Sequence, residues 1–354
     1  MYKKIAILLV CTFLVVSLAI IGNAEAEGKV FKWRAVTHQM VGTDRYQKTF
    51  VVFCENVKKA SGGRLIIEPY GAGVLFPVSE SLNAVKNGVV EMGAVWSGYW
   101  AGINPMFAIV GNRPGSPITE FSECLYNDEK CAPIVEKVYK KVGVQYLGTF
   151  DFAPPEILCS KVPIRTLDDF KGLVIRTSGP GASFYSRLGA SAVSLSGPEI
   201  YTALQLGTID AAEYNDWAVN KQMGFDEVTT YVIEPCLHMG SNEDKALIVN
   251  PKAWKNLPDD LKAIVIACRD QARYNSAISF AIDSKISKRE WINEGVKIIN
   301  LPEEDIKKAR KIGSEVILDY AKKNPESAEY VAMYAQNLYI LGYIEEAKTL
   351  GYTK

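Results

Sequence analysis

Arg176 closes the apolar run Leu173-Val174-Ile175, and Glu213-Tyr214 follows the run from Ile209 to Ala212. A third segment of the same kind ends in the aromatic cluster Trp96-Ser97-Gly98-Tyr99-Trp100. A planar guanidinium can make two parallel, charge-assisted hydrogen bonds to a carboxylate. A phenol can donate to an oxygen while its ring packs against a carbon chain. These residue types hold a small polar molecule; they do not make a nucleophile. No G-x-S-x-G elbow, H-E-x-x-H or Cys–His signature accompanies them. The only histidines are His38, in the loop VTHQMVGT, and His238, so a zinc hydrolase or a His-dependent triad has little support. Gly179-Pro180-Gly181 lacks the remaining glycine and the lysine of a phosphate cradle and reads as a turn before a helix.

The elements that would position these residues alternate between strand and helix. Phe31 to Val36 reads as a strand. Thr43 then caps a helix with apolar face Tyr46, Phe50, Phe53 and Val57, stopped by Ser61-Gly62-Gly63. Arg64 to Glu68 is a second strand, and a helix follows from about Ser79 to Asn87. Such alternation implies an α/β architecture with a largely parallel sheet. The chain also partly repeats itself. RLIIEPYGAG (64–73) aligns with GLVIRTSGPG (172–181), and LNAVKNGVVEMG (82–93) aligns with YTALQLGTIDAA (201–212). Two lobes of related topology are therefore expected. Ligands of open α/β sheets bind beyond the carboxyl ends of the strands, which would bring Arg176, Glu213, Tyr214 and the aromatic cluster to the cleft between the lobes.

The 354 residues carry 40 Lys+Arg against 40 Asp+Glu, a balance that argues against a nucleic-acid binder. With 48% hydrophobic residues the chain can also bury a core. Residues 1–26 read as a signal peptide: Lys3 and Lys4, an apolar run from Ile5 to Ile21, then Ala24-Glu25-Ala26 as a cleavage site near Ala26. Export to the periplasm would permit disulfides among the six remaining cysteines. Cys124 and Cys131, flanking LYNDEK, are the pair that could close a small loop; the alternative is that most of the six are buried apolar residues.

The segment GAGVLFPVSESLNAVKNGVVEMG (71–93), with LDDFKGLVIRTSGPGASFYSRLGA and GPEIYTALQLGTIDAAE within 167–213, resembles the TRAP-transporter substrate-binding proteins of the DctP type. The resemblance covers essentially the whole mature chain and is weakest in the helix-rich tail. It implies a receptor, not an enzyme, that delivers a small organic acid to the integral membrane subunits of a TRAP carrier. The implied fold is a two-lobe, type II-like periplasmic binding protein, with a long helix spanning both lobes and a helical C-terminal extension. On this basis lobe 1 comprises 27–152 plus about 239–285, lobe 2 comprises 153–238 plus about 286–300, and the extension is 301–354. The bracing helix would run from Pro258 toward Gly295, and the chain would cross between lobes near Phe150–Ala153 and Leu237–Ser241.

The resemblance also implies roles. Arg176 matches the arginine that grips the substrate carboxylate. Glu213-Tyr214 resembles the branch binding 2-oxo or 2-hydroxy monocarboxylates, in which the acid and the following backbone carbonyl help hold a cation that bridges to the ligand. Ca²⁺ or Na⁺ would fit, with none obligatory, and Glu156 could add a further acidic ligand. Tyr99 and Trp100 match a ligand-contacting tyrosine and an aromatic wall, whereas Trp96 reads as core. His38 lies in a loop that faces the cleft. Phe152, Trp217 and Phe184 could extend an aromatic pocket, which would admit an aryl-substituted acid. His238 falls at the second crossover, where hinge packing is the expected use. Ile306, Ala309, Ile312, Val316 and Tyr320 form an apolar stripe that packs the C-terminal region on the body, as a monomer or a homodimer. The competing functions are a C4-dicarboxylate or sugar-acid receptor of the same family and a receptor feeding a sensor kinase.

Overall fold

The computed structural model describes residues 29–240 and 245–353. The signal peptide read in residues 1–26 lies outside them. No helix of the described residues is long and apolar enough to cross a membrane.

Two sheets organise the chain. The first has the order β2-β1-β3-β10-β4, with β1 (Phe31–Thr37), β2 (Leu65–Tyr70), β3 (Met92–Trp96), β4 (Gln145–Thr149) and β10 (Lys245–Val249). The second has the order β11-β9-β5-β8-β6-β7, with β5 (Leu158–Ser160), β6 (Val174–Arg176), β7 (Ser191–Val193), β8 (Ala211–Glu213), β9 (Tyr231–Glu234) and β11 (Lys297–Asn300). β1 runs parallel to β2 and β3, as β6 does to β7 and β8. Both sheets are mixed where a largely parallel one was expected. β10 and β5, each the first strand after a passage from the other sheet, lie antiparallel to their neighbours β3 and β8.

The duplication is real, but one of its two expected alignments is displaced by a strand. The pairing of 82–93 with 201–212 falls on equivalent units: helix Ser81–Lys86 leads into β3, and helix Gly197–Leu206 leads into β8. The pairing of 64–73 with 172–181 sets the edge strand β2 against the inner strand β6. By topology β6 corresponds to β1, and β2 to β7. Both misaligned strands run into a G-x-G, but the positive φ falls on its second glycine in one, Gly73 at 74°, and on its first in the other, Gly179 at 55°, so the sequence match does not mark the same turn.

The first helix buries Tyr46, Phe50, Phe53 and Val57 as its pattern requires, entering through the π-helical turn Tyr46–Val51. The chain passes between the sheets three times: between β4 and β5, between β9 and β10, and along the 35-residue helix Asp259–Asn293, which packs on helix Val52–Ala60 of one lobe and on helix Trp217–Gln222 of the other. Asp259 and Asp260 favour the N-terminus of this long helix, and Gly295, at φ 100°, follows its end.

The stripe Ile306, Ala309, Ile312, Val316 and Tyr320 lies on helix Glu303–Ala321 and packs against the core of the second sheet. The possible Cys124–Cys131 loop does not form. Both residues lie in one helix, Phe121–Val142, about 10 Å apart along its axis, whereas a disulfide needs Cα atoms roughly 4.4–6.8 Å apart. All six cysteines of the described residues are free thiols, five of them buried. The polar LYNDEK stretch is accommodated by the helix: Asn337 donates to the Asn127 side chain at 3.0 Å, and Thr149 donates to Asp128 at 2.6 Å.

Candidate functional site

A cavity of about 880 Å³ lies between the sheets and draws its lining from both. His38 enters it directly after β1, and Trp96 and Tyr99 enter from the end of β3 and the turn beyond. Arg176 is the last residue of β6, and Glu213 the last of β8. The carboxyl ends of four parallel strands thus converge on one space, as the topology rule requires. Glu156, on the first crossover, and Tyr214 join the polar part of the wall, to which Gln39, Asn112, Asn215 and several serines also belong.

Arg176 is 8% exposed and already engaged by the protein. Its Nε donates to the Leu195 carbonyl at 3.1 Å, and Nη1 donates to the Glu213 carbonyl at 2.6 Å and to Glu213 Oε2 at 3.2 Å. The guanidinium also lies 5.4 Å from the centre of the Tyr214 ring. Nε and Nη1 are thus held by the protein, and Nη2 makes none of these bonds while Arg176 lines the cavity. Tyr214 seats in this way because residue 197 is glycine: a Cβ there would lie 2.6 Å from the Tyr214 hydroxyl oxygen.

Glu213 accepts the Ser178 backbone N–H on Oε1 at 3.1 Å. Burial alone would raise its carboxyl, but Arg176 and His238 bring it below its ordinary value. Glu156 behaves in the opposite way. Burial and the neighbouring Glu213 charge raise it to about 7. His238 stands beside it, with Nε2 3.3 Å from Glu156 Oε2 and Nδ1 2.9 Å from the Tyr185 hydroxyl. Against its complete burial, His238 is held well above its ordinary value by Cys236, Tyr185 and Glu156. His38 is displaced the other way, to about 3, by burial and the nearby Lys245, and is therefore neutral. The Tyr99 phenol, 45% exposed at the cavity, is raised above its ordinary value by the part of it that is desolvated and stays protonated, able to donate.

Arg176, Tyr99, Glu213, Tyr214, His38 and Glu156 are thus brought together, and Phe152 and Trp217 are not. Phe152 packs edge-on against Phe121 at 5.0 Å, and its N–H donates to Ser276 of the long helix. Trp217 packs edge-on against Trp291 of the same helix at 5.4 Å. Trp217 thus joins its lobe to the brace through its side chain and Phe152 through its backbone, and neither lines the cavity. Phe184 is fully buried beside Tyr185. Trp96 and Trp100 exchange their expected roles. Trp96 lines the cavity, its Nε1 donating to the Gly111 carbonyl at 2.9 Å, while Trp100 is core against Phe107 and Tyr139. His238 is the residue sequence reasoning placed least well; its only signal was an imidazole close to a crossover, facing a glutamate 82 positions away.

Residues 37–324 match the family described as bacterial extracellular solute-binding protein, family 7, known as DctP. The chain belongs to this family. It is similar to a monocarboxylate 2-oxoacid-binding periplasmic protein of Nostoc sp., 28% identical over 309 residues, covering 86% of this chain and 82% of the relative. Two solved TRAP solute-binding proteins share its fold. One, from Bordetella bronchiseptica with calcium and picolinate bound, has a TM-score of 0.82 at 22% identity, covering 91% of this chain and 96% of the other. The other, from Pseudoalteromonas atlantica with sodium and pyruvate bound, has a TM-score of 0.81 at 22% identity, covering 92% and 100%. Both hold a hard cation together with their organic acid.

The donors present here bear on such a cation. Glu156, Glu213 and His238 place one ligand atom each within 4.8 Å of one another, all buried. Two carboxylates suit a hard cation.

Proposed function

We propose that this family 7 protein is an extracytoplasmic receptor for a 2-oxo or 2-hydroxy monocarboxylate with a sizeable apolar side chain, which it hands to a TRAP-type carrier. The observation that carries the reading is the half-engaged guanidinium of Arg176 at the wall of a cavity whose remaining lining is largely apolar. The ligand carboxylate pairs with Nη2 of Arg176, where a charge-assisted bond in a desolvated site is strongest. The 2-oxygen lies toward Glu213 and Glu156, and Tyr99 donates from the opposite lobe. Met40, Val41, Val78, Trp96 and Met239 surround the rest of the molecule. At about 880 Å³ the cavity exceeds what a three-carbon acid fills, so branched or aryl side chains are the better occupants. Held by Glu156 and Glu213, a Ca²⁺ would offset both carboxylate charges and a Na⁺ one of them, and either would bridge to ligand oxygens. The protein binds and releases its acid unchanged, lobe 1 (27–152 plus about 239–285) closing on lobe 2 (153–238 plus about 286–300) by a hinge at the crossovers.

Calorimetric titration of the mature protein with pyruvate, a branched 2-oxo acid, phenylpyruvate and a C4-dicarboxylate tests this reading. The larger 2-oxo acids are expected to bind more tightly than pyruvate, and Arg176→Ala to weaken binding at least 100-fold; because it also strips buried Glu213 of its cation, Arg176→Lys, which keeps a charge there, is the companion variant that should weaken binding while the fold persists. Binding of the dicarboxylate alone would exclude the proposed ligand class. Repeating the titration with EDTA, then with Ca²⁺ or Na⁺ restored, measures the contribution of the cation.

A further inference from the structure

A buried polar group without a hydrogen-bond partner costs folding free energy, and native proteins keep few of them. Three amide side chains line the cavity: Gln39, Asn112 and Asn215. Gln39 Nε2 lies 3.1 Å from His38 Nε2, and Asn215 Oδ1 accepts the Asp216 N–H at 3.0 Å. Asn112 differs. It is 2% exposed, and its Oδ1 is buried with no partner among the described residues. Its backbone is nonetheless firmly held. Asn112 follows helix Met106–Gly111, and its N–H donates to the Ala108 carbonyl at 3.0 Å. Nη1 of the next residue, Arg113, donates to the Val110 carbonyl at 2.7 Å and to the Tyr330 hydroxyl at 2.8 Å. The Gly115 N–H donates to Leu237 of the second crossover at 2.9 Å, and the Tyr334 hydroxyl donates to Ser116 at 2.8 Å. The second crossover and helix Pro325–Ile340 thus fix the turn that carries an amide with an unused acceptor.

The place of that amide says what it meets. A Cβ built on Gly181, at the start of helix Gly179–Arg187, would lie 3.6 Å from Asn112 Nδ2 and 3.7 Å from the His238 Cβ. His238 in turn stands beside Glu156, whose carboxylate shares one cluster with Glu213. Asn112 therefore reaches, from the first sheet's side, the corner of the cavity to which the 2-oxygen of the ligand is assigned. We infer that Asn112 is the residue that reads this 2-oxygen, an assignment that rests on the acid receptor proposed above. A carboxamide suits both forms of the ligand. Nδ2 donates to a 2-oxo oxygen, and a half-turn of the amide presents Oδ1 to accept from a 2-hydroxyl. An acid with no oxygen at that carbon leaves the amide unpaired. A site built to pair with a polar group rejects the analogue that lacks it far more strongly than an apolar pocket rejects a missing methylene. Asn112 thus sets the choice of 2-oxygenated acids over plain ones, while the apolar wall sets the size of the side chain.

Three acids with one side chain test this: 4-methyl-2-oxopentanoate, 2-hydroxy-4-methylpentanoate and 4-methylpentanoate. Each is titrated, by displacement where binding is weak, into the wild type, Asn112→Leu and Asn112→Ala. Both variants should weaken the two oxygenated acids by about tenfold or more and the plain acid by less than about threefold. A merely structural role would weaken all three alike. Without ligand, Asn112→Leu should melt at or above the wild-type temperature, because it removes a buried polar atom that had no partner. A second measurement needs no affinity for the plain acid. In protein labelled with ¹⁵N-asparagine, the Asn112 side-chain amide signals, identified by their loss in Asn112→Ala, should shift when the 2-oxo acid is added. Equal weakening of all three acids, no weakening of any, or amide signals that stay in place would overturn the inference and leave the receptor standing. A lower melting temperature in both variants would overturn it too, by making the amide a structural group. A wild type that binds none of the three acids removes the receptor and the inference together.

Discussion

Glu156 and Glu213 stand in one buried cluster, yet their environments push them apart: Arg176 holds Glu213 ionised, while burial and Glu213 raise Glu156 to about 7 from an ordinary 4.5. An acid raised in the folded state contributes stability when protonated. That contribution is complete below about pH 4.5 and is lost as pH rises through about 7. Glu156→Gln removes the dependence, so the variant should gain on the wild type across this window, by up to roughly 3 kcal/mol in urea unfolding. A difference that stays flat with pH would contradict the assignment. Gly197→Ala makes a separate test: it should tilt the Tyr214 ring off Arg176 and weaken ligand binding several-fold while the fold persists. The residues at strand ends were legible from sequence because the end of an apolar run marks a place in an α/β sheet. Trp96 against Trp100, and Phe152 and Trp217 against the cavity, were not. The side on which an aromatic ring falls is decided by what packs behind it, here the long helix and the Phe107–Tyr139 core.

At the scale of elements, the two lobes are joined by a buried ion pair that no local pattern announces. Arg45, which follows β1, meets Asp216, which follows β8; each is 1% exposed, and the guanidinium lies over the Phe280 ring of the long helix at 4.8 Å. Asp216 also caps helix Trp217–Gln222 by accepting the N–H groups of Ala218 and Val219. The two functions separate by substitution. Asp216→Asn keeps a capping acceptor but strands a buried cation, and should cost about 3 kcal/mol or more. Asp216→Ala should cost roughly 1 kcal/mol beyond that. Equal losses would mean that the cap contributes nothing. The strand–helix units and the bracing helix were legible because their periodicity and breakers are local. The register of the duplication was not, since an apolar strand followed by a glycine turn occurs twice in each lobe.

The whole molecule is free of cross-links among its described residues. Thiol titration of the mature chain should find six reactive groups in denaturant and far fewer in the native state, with no change in melting temperature on adding a reductant. The order of strands has a further consequence, for biogenesis. Among the described residues β10, 245–249, lies between β3 and β4 in the first sheet, and β11, residues 297–300, completes the second sheet only after the brace has been laid down. A chain emerging from its N-terminus therefore cannot close its first sheet until about two-thirds of its length is available, because each half is missing a strand that comes late. The topology that sends the chain back and forth between its two sheets also delays its commitment to a folded state, and so keeps the nascent polypeptide threadable until most of it has been made.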